Sequence, residues 1–143
     1  MHPYSFVVSL RANHPSCDLS FLSVIFSLEQ RHGWDAGDER KTPKGTSLVG
    51  ARSESYWSAR ITTEETYSEE WQLEDILARS ITDVLNHENE LAEFFATGGT
   101  MNYFIGLYGT RNFGLIFSPE LMSKLAKAKV ELQLDVYPAK SAA

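Results

Sequence analysis

The chain has a single cysteine, Cys17, in 143 residues. No intrachain disulfide can form, and nothing in the composition asks for an oxidising compartment. Long apolar runs are missing too: Phe6–Val8, Val24–Phe26 and Leu115–Phe117 span three residues each, against the ~20 that a bilayer-crossing helix needs. The opening MHPYSFVVSLRANHP lacks a basic leader followed by a long apolar core. It is expected to form a first strand rather than a signal peptide, and the protein is expected in the cytoplasm. Positive charge is scarce: thirteen Lys and Arg against nineteen Asp and Glu give a net charge of −6. That sign repels phosphate backbones and argues against nucleic acid as a partner, as the short apolar runs argue against a membrane.

What is present suits one globular domain over residues 1–143, with 138–143 expected as a frayed tail. At 43% hydrophobic and 22% charged, the chain can bury a core and is not of disordered composition. The acids are unevenly placed. From Glu54 to Glu93 eleven of them face only Arg60 and Arg79, whereas Arg31–Arg52 carries five basic residues and three acids.

Periodicity predicts the elements. Tyr4–Arg11 alternates as a half-buried strand, and Asp18 is placed to cap an apolar helix to about Leu28. Residues 31–53 read as a polar loop. Strand SESYWSARI follows, then one long helix from about Gln72 to Phe95, closed by Gly98-Gly99. TMNYFIGLY is a third strand. Gly109–Gly114 reads as a hairpin turn into a short strand at Leu115–Phe117, with Asn112 suited to positive φ. Ser118-Pro119-Glu120 opens a last helix, and VELQLDV is a strand with Val130, Leu132, Leu134 and Val136 facing inward. The order β-α-β-α-β-β-α-β, with alternating strands throughout, predicts an α+β fold. It is expected to have two layers: a mainly antiparallel sheet of four to five strands, ferredoxin-like or related, with helices on one face. Phe104, Tyr108 and Tyr137 would then lie on the open outer face, where a homodimer or a ligand cleft is the expectation.

This order of elements, the Trp34-x-x-Gly37-Asp38 loop, Trp57 in the second strand and the closing SPELMSKLAKAKVELQLDVY resemble the bacterial proteins grouped as domain of unknown function 4279. The resemblance runs from Tyr4 to Tyr137 and implies a fold and a bacterial origin, but no reaction. In that family a basic residue often precedes the loop glycine. Ala36 stands there in this chain, which weakens an anion-binding role for the loop.

Few residues could carry chemistry. His14-x-x-Cys17 has metal-ligand spacing but no second pair to complete four ligands. Asp35, Asp38 and Glu39 could form a carboxylate pair, yet no hydrophobic wall is in view to shift their pKa values. No nucleophile elbow or phosphate loop occurs. No catalytic residue, metal or cofactor is therefore assigned. Trp34 has two readings. It is a plug closing the core from the loop, the preferred one, or it lines a recognition site with Asp38, Arg40 and Trp57. Tyr108 and Asn112 are the further binding candidates. The function that follows is a non-enzymatic protein-binding module, for instance an immunity-type antagonist of a basic toxin, drawn to its partner by the acidic segment. The alternative is a small-molecule-binding domain with a cleft near Trp34 and Trp57.

Overall fold

A computed structural model describes residues 2–138, so the expected tail lies outside the described residues except for Pro138. In chain order the elements are β1 (Ser5–His14), α1 (Phe21–Phe26), β2 (Gln30–Trp34), β3 (Glu39–Lys41), β4 (Ser47–Ala51) and β5 (Ser55–Arg60). They continue as β6 (Thr66–Tyr67), α2 (Leu73–Asn86), α3 (Glu88–Ala96), β7 (Thr100–Tyr108), α4 (Pro119–Ala128) and β8 (Val130–Tyr137). Five strands lie in the order β2-β5-β1-β7-β8, with β6 beside the start of β1 as a sixth. Every pairing in this sheet is antiparallel except β7 with β8, which the α4 crossover makes parallel.

Alternation decides what each strand buries. Phe6, Val8, Leu10 and Ala12 of β1, Trp57 and Ala59 of β5, and Met101, Tyr103, Ile105 and Leu107 of β7 all point into one layer. Leu22 and Phe26 of α1, Leu73, Leu77, Ile81 and Val84 of α2, Leu91 and Phe94 of α3, and Leu121 and Leu125 of α4 meet them there. The fold is thus α+β, with helices on one face of a mainly antiparallel sheet, as expected. The buried polar atoms of this core are satisfied: Trp57 Nε1 donates to Ser23 Oγ at 2.9 Å, and the Tyr103 hydroxyl to Ser80 Oγ at 2.6 Å.

Several expectations fail in detail. The sheet has six strands, and its central pair β1–β7 is antiparallel, whereas the central pair of a ferredoxin-like sheet is parallel. Residues 31–53 are not a loop. They supply the edge strand β2 and the β3–β4 hairpin, which forms a separate two-stranded sheet. Helix α1 is shorter than predicted, because Ser27 turns left-handed (φ 52°) and stops it, and Val24 is 79% exposed rather than covered. Asp18 accepts from Ser20 N–H at 2.8 Å, in the turn before the helix rather than as its cap. The long helix is two, broken at His87, so that Phe94 rather than Phe95 reaches the core. Leu115–Phe117 is not a strand, and Asn112 keeps negative φ. Only the first half of β8 is covered, leaving Leu134 and Val136 exposed.

Burial holds the Tyr103 phenol neutral well above the ordinary tyrosine range, and burial with the nearby Glu74 carboxylate pushes Tyr4 up to about 12. Unfolded tyrosines ionise near pH ~10. Because the folded pKa values are raised, the stability they confer is complete below about pH 10 and is lost as pH climbs towards the folded values. Urea unfolding is expected to lose up to about 1.4 kcal/mol per pH unit for each such tyrosine above that point. Tyr103→Phe should flatten the slope, and a profile already flat in the wild type would contradict the burial of the phenol.

Candidate functional site

The segment after β1 shows how local polar chemistry is spent on structure. His14 is buried. Its Nδ1 accepts from Ser16 N–H at 3.0 Å and Cys17 N–H at 2.8 Å, so Nε2 carries the proton and donates to Thr97 Oγ1 at 2.7 Å. Nδ1 thereby fixes the turn that leads to α1, and Nε2 ties it to the end of α3. Burial and the neighbouring Asp18 and Glu93 push the Cys17 thiol up, the opposite of what a nucleophile needs. Among the described residues no group of three or more His, Cys, Asp or Glu could hold a metal ion.

The six predicted site residues do not converge on one site; only Trp34 and Asp38 share a hollow, of about 340 Å3, with Gln30, Asp35 and Tyr56. Trp57 is fully buried on the inner face. Trp34 pairs in register with Tyr56, one residue away, and so lies on the opposite, open face of the sheet. There it is half-buried, with its ring 4.8 Å from Tyr56 and the Arg52 guanidinium 3.6 Å above it. Its Nε1 donates to the Glu54 carbonyl at 3.1 Å. It is neither a core plug nor a neighbour of Trp57, and the hollow it lines does not include Trp57. Asp38 and Arg40 are structural as well. Asp38 accepts from Asp35 N–H at 2.8 Å in a turn that Gly37 permits (φ 92°), and Arg40 donates to the Val49 carbonyl at 3.2 Å across the β3–β4 hairpin. Tyr108 stacks on Tyr137 at 5.0 Å at the other end of the sheet, opposite Ser5 rather than Asn13, and Asn112 is exposed in the following loop. The rest of the outer face is closed by its own contacts: Arg11 lies over Phe104 and donates to Asn102 and Gln133.

Larger concave surfaces lie on the helical side. One groove of about 740 Å3 runs between the start of β1 and the N-termini of α2 and α4. Four carboxylates line it, Glu69, Glu74, Asp75 and Glu120, against His2 and Lys124, and Lys124 is already engaged with Glu120 at 3.5 Å. Glu74 accepts from Ile116 N–H at 3.0 Å, and Tyr4 stacks on Phe113 at 4.7 Å, so the 110s loop is pinned beside the groove. A second cleft of about 560 Å3 opens between α2 and residues 61–66. Leu10, Phe26 and Val84 line its buried part, with Thr62 and Ser80 as hydroxyls and Trp71 and Arg79 at the rim, the guanidinium 5.6 Å from the indole. Thr62 Oγ1 accepts from Val8 N–H and Ser80 Oγ from Tyr103, which leaves both hydroxyl protons free to donate.

Neither cavity was among the sequence-level candidates. The acidic groove had one signal, the Glu69–Asp75 cluster. The second cleft had none, since its walls come from four separate segments. Compared with family models, curated proteins and solved structures, the chain matches none.

The two tryptophans should separate in unfolding experiments. Trp57→Ala empties a closed core site and is expected to cost about 3–5 kcal/mol. Trp34→Ala removes a half-exposed ring, one hydrogen bond and one cation–π contact, for about 1–2 kcal/mol. Equal costs in denaturant titrations would place Trp34 in the core after all.

Proposed function

We propose that the protein is a non-enzymatic binding module whose acidic helical side receives a basic protein partner, with immunity-type antagonism of a basic toxin as its most concrete form. One observation carries this reading. Of the eleven acids between Glu54 and Glu93, none has a Lys or Arg within 4.0 Å among the described residues, and only Asp83 has a histidine, His87, that close. Unpaired surface carboxylates of one sign raise the encounter rate with a cationic surface and are screened by salt. Three of them, Glu69, Glu74 and Asp75, line the groove between α2 and α4 together with Glu120, so Lys or Arg side chains of a partner would enter there. The resemblance to domain of unknown function 4279, with its bacterial origin and cytoplasmic setting, belongs to the same proposal.

A second reading has its own support. The Trp71–Arg79 cleft combines an apolar floor with hydroxyl donors, the usual composition of a small-ligand pocket, and its volume suits one. It replaces the cleft expected near Trp34 and Trp57. Arg60, Phe104 and the stacked Tyr108 and Tyr137 leave the outer face as a less concave alternative for a second copy.

Charge reversal tests the main reading. Glu69→Lys/Glu74→Lys/Asp75→Lys is expected to lose a basic partner captured by the wild type, weakening binding by about 100-fold at low salt. Reversal of Glu88, Glu90 and Glu93 on α3 should matter less. The purified pair should weaken steadily with ionic strength. Equal capture by both reversed proteins, or affinity indifferent to salt, would sink it.

A further inference from the structure

The two ends of the sheet are finished differently. At one end β2 is five residues long, carries Arg31 and His32, and has a register irregularity between Gln30 and His32. Short length, charge and bulges are the devices that keep a sheet edge from pairing with another chain. At the other end β8 is neither short nor bulged, and the only charges it carries are Glu131 and Asp135. It is eight residues long, VELQLDVY, with no Lys, Arg, Gly or Pro, and its register with β7 is unbroken from Val130 to Tyr137. Among the described residues it pairs with β7 alone. Leu134 and Val136 on its inner side are 43% and 60% exposed.

The direction of its backbone groups can be read from one bond. Gly109 N–H donates to the Tyr137 carbonyl at 3.2 Å, so Tyr137 turns its peptide groups towards β7. In a strand the direction alternates residue by residue. Glu131, Gln133 and Asp135 therefore also face β7, while Leu132, Leu134 and Val136 present their N–H and C=O groups to the open edge.

We propose that β8 is a dimerisation edge, pairing antiparallel with β8 of a second copy about a two-fold axis at Leu134. The occupant follows from complementarity. To keep both helical layers on the same side, inner residues must oppose inner residues, which leaves few registers. Centring on Gln133 would oppose Glu131 to Asp135. Centring on Asp135 would oppose that carboxylate to its own copy. Centring on Leu134 opposes Leu132 to Val136, Gln133 to Asp135 and Glu131 to Tyr137, so no two charges of one sign meet directly. The same register makes the three residues with outward peptide groups the hydrogen-bonded pairs, and it brings the exposed Leu134 and Val136 of both copies together over one shared face. A two-fold contact of this kind closes on itself and does not propagate. It is independent of the acidic groove and uses none of its residues.

Sedimentation velocity of the full chain from about 1 to 100 μM should show twice the monomer mass at the upper end, within the range of ordinary transient dimers. Leu134→Lys places two ammonium groups at the axis and is expected to raise the dimer dissociation constant about 100-fold while leaving the circular dichroism unchanged. Cysteine pairs then fix the register in a Cys17→Ser background. Leu134→Cys should oxidise to a dimer, since paired Cα atoms lie about 5.5 Å apart, within disulfide reach. Glu131→Cys should not, because six residues of offset separate the two thiols by about 20 Å. A monomer at every concentration would overturn the proposal. So would a dimer that Leu134→Lys leaves intact, or one cross-linked through Glu131→Cys and not Leu134→Cys.

Discussion

The pairing of β1 with β7 is the contact on which the other elements depend. Nine consecutive positions are matched, from Ser5 with Tyr108 to Asn13 with Thr100, and the inward residues on both sides are buried to the last. A shift of one residue would turn Phe6, Val8 and Leu10 to the open face, so this register is strongly specified. Once it is set, β5 can add only on the far side of β1, and the α4 crossover lays β8 beside β7. The helices then have one apolar face to cover. The two larger concave surfaces follow from how they cover it: the acidic groove where α2 and α4 begin, and the Trp71–Arg79 cleft where α2 leaves the 61–66 segment unsupported.

What could be read in advance is what local pattern alone determines. β1, β5 and β7 alternate cleanly, and Ser118 caps α4 as its sequence requires, its hydroxyl accepting from Leu121 N–H at 3.1 Å. Gly98 (φ 106°) and Gly99 close α3, with Gly99 N–H bonded to the Phe94 carbonyl at 2.8 Å. What escaped depends on partners distant in sequence. QRHGW has no strand pattern, and β2 exists because β5 offers it an edge. The break at His87 did leave a trace. A continuous helix following Leu77, Ile81 and Val84 would next bury position 88, which is Glu. A core stripe that meets a charge at its next step signals a break, and the adjacent Phe94 and Phe95 hid the change of phase.

Site residues were less legible than the fold for a related reason. Trp34 and Trp57 are both aromatic residues near one loop in sequence, yet strand parity sends them to opposite faces. Parity depends on the β2–β5 register, which no local signal encodes. The cleft beside Trp71 is harder still, because Leu10, Phe26, Thr62 and Ser80 meet only after the sheet, α1 and α2 have docked. His14 misled in the other direction: metal-like spacing with Cys17 proved to be a side chain whose Nδ1 holds a turn and whose Nε2 ties that turn to Thr97 at the end of α3.

The acidic surface needs a separate account of how much is owed to folding. Helix dipoles favour carboxylates in a first turn, which explains Glu74 and Asp75 on α2, Glu88 and Glu90 on α3, and Glu120 on α4. The same physics favours cations in the last turn. α4 follows it with Lys127, but α2 and α3 have no basic residue there. Stability alone would gain from a lysine at either end point, and such residues would also pair with the nearby acids. Their lack costs little, a few tenths of a kcal/mol to about 1 kcal/mol per site, but it leaves the acids of α2 and α3 without a lysine or arginine within 4.0 Å among the described residues. Glu64, Glu69, Glu70 and Glu93 lie outside any first turn and have no dipole to account for them. Folding explains why acids sit at the helix starts; it does not explain why none of those between Glu54 and Glu93 meets a lysine or arginine within 4.0 Å among the described residues, and that asymmetry is what a basic partner would use.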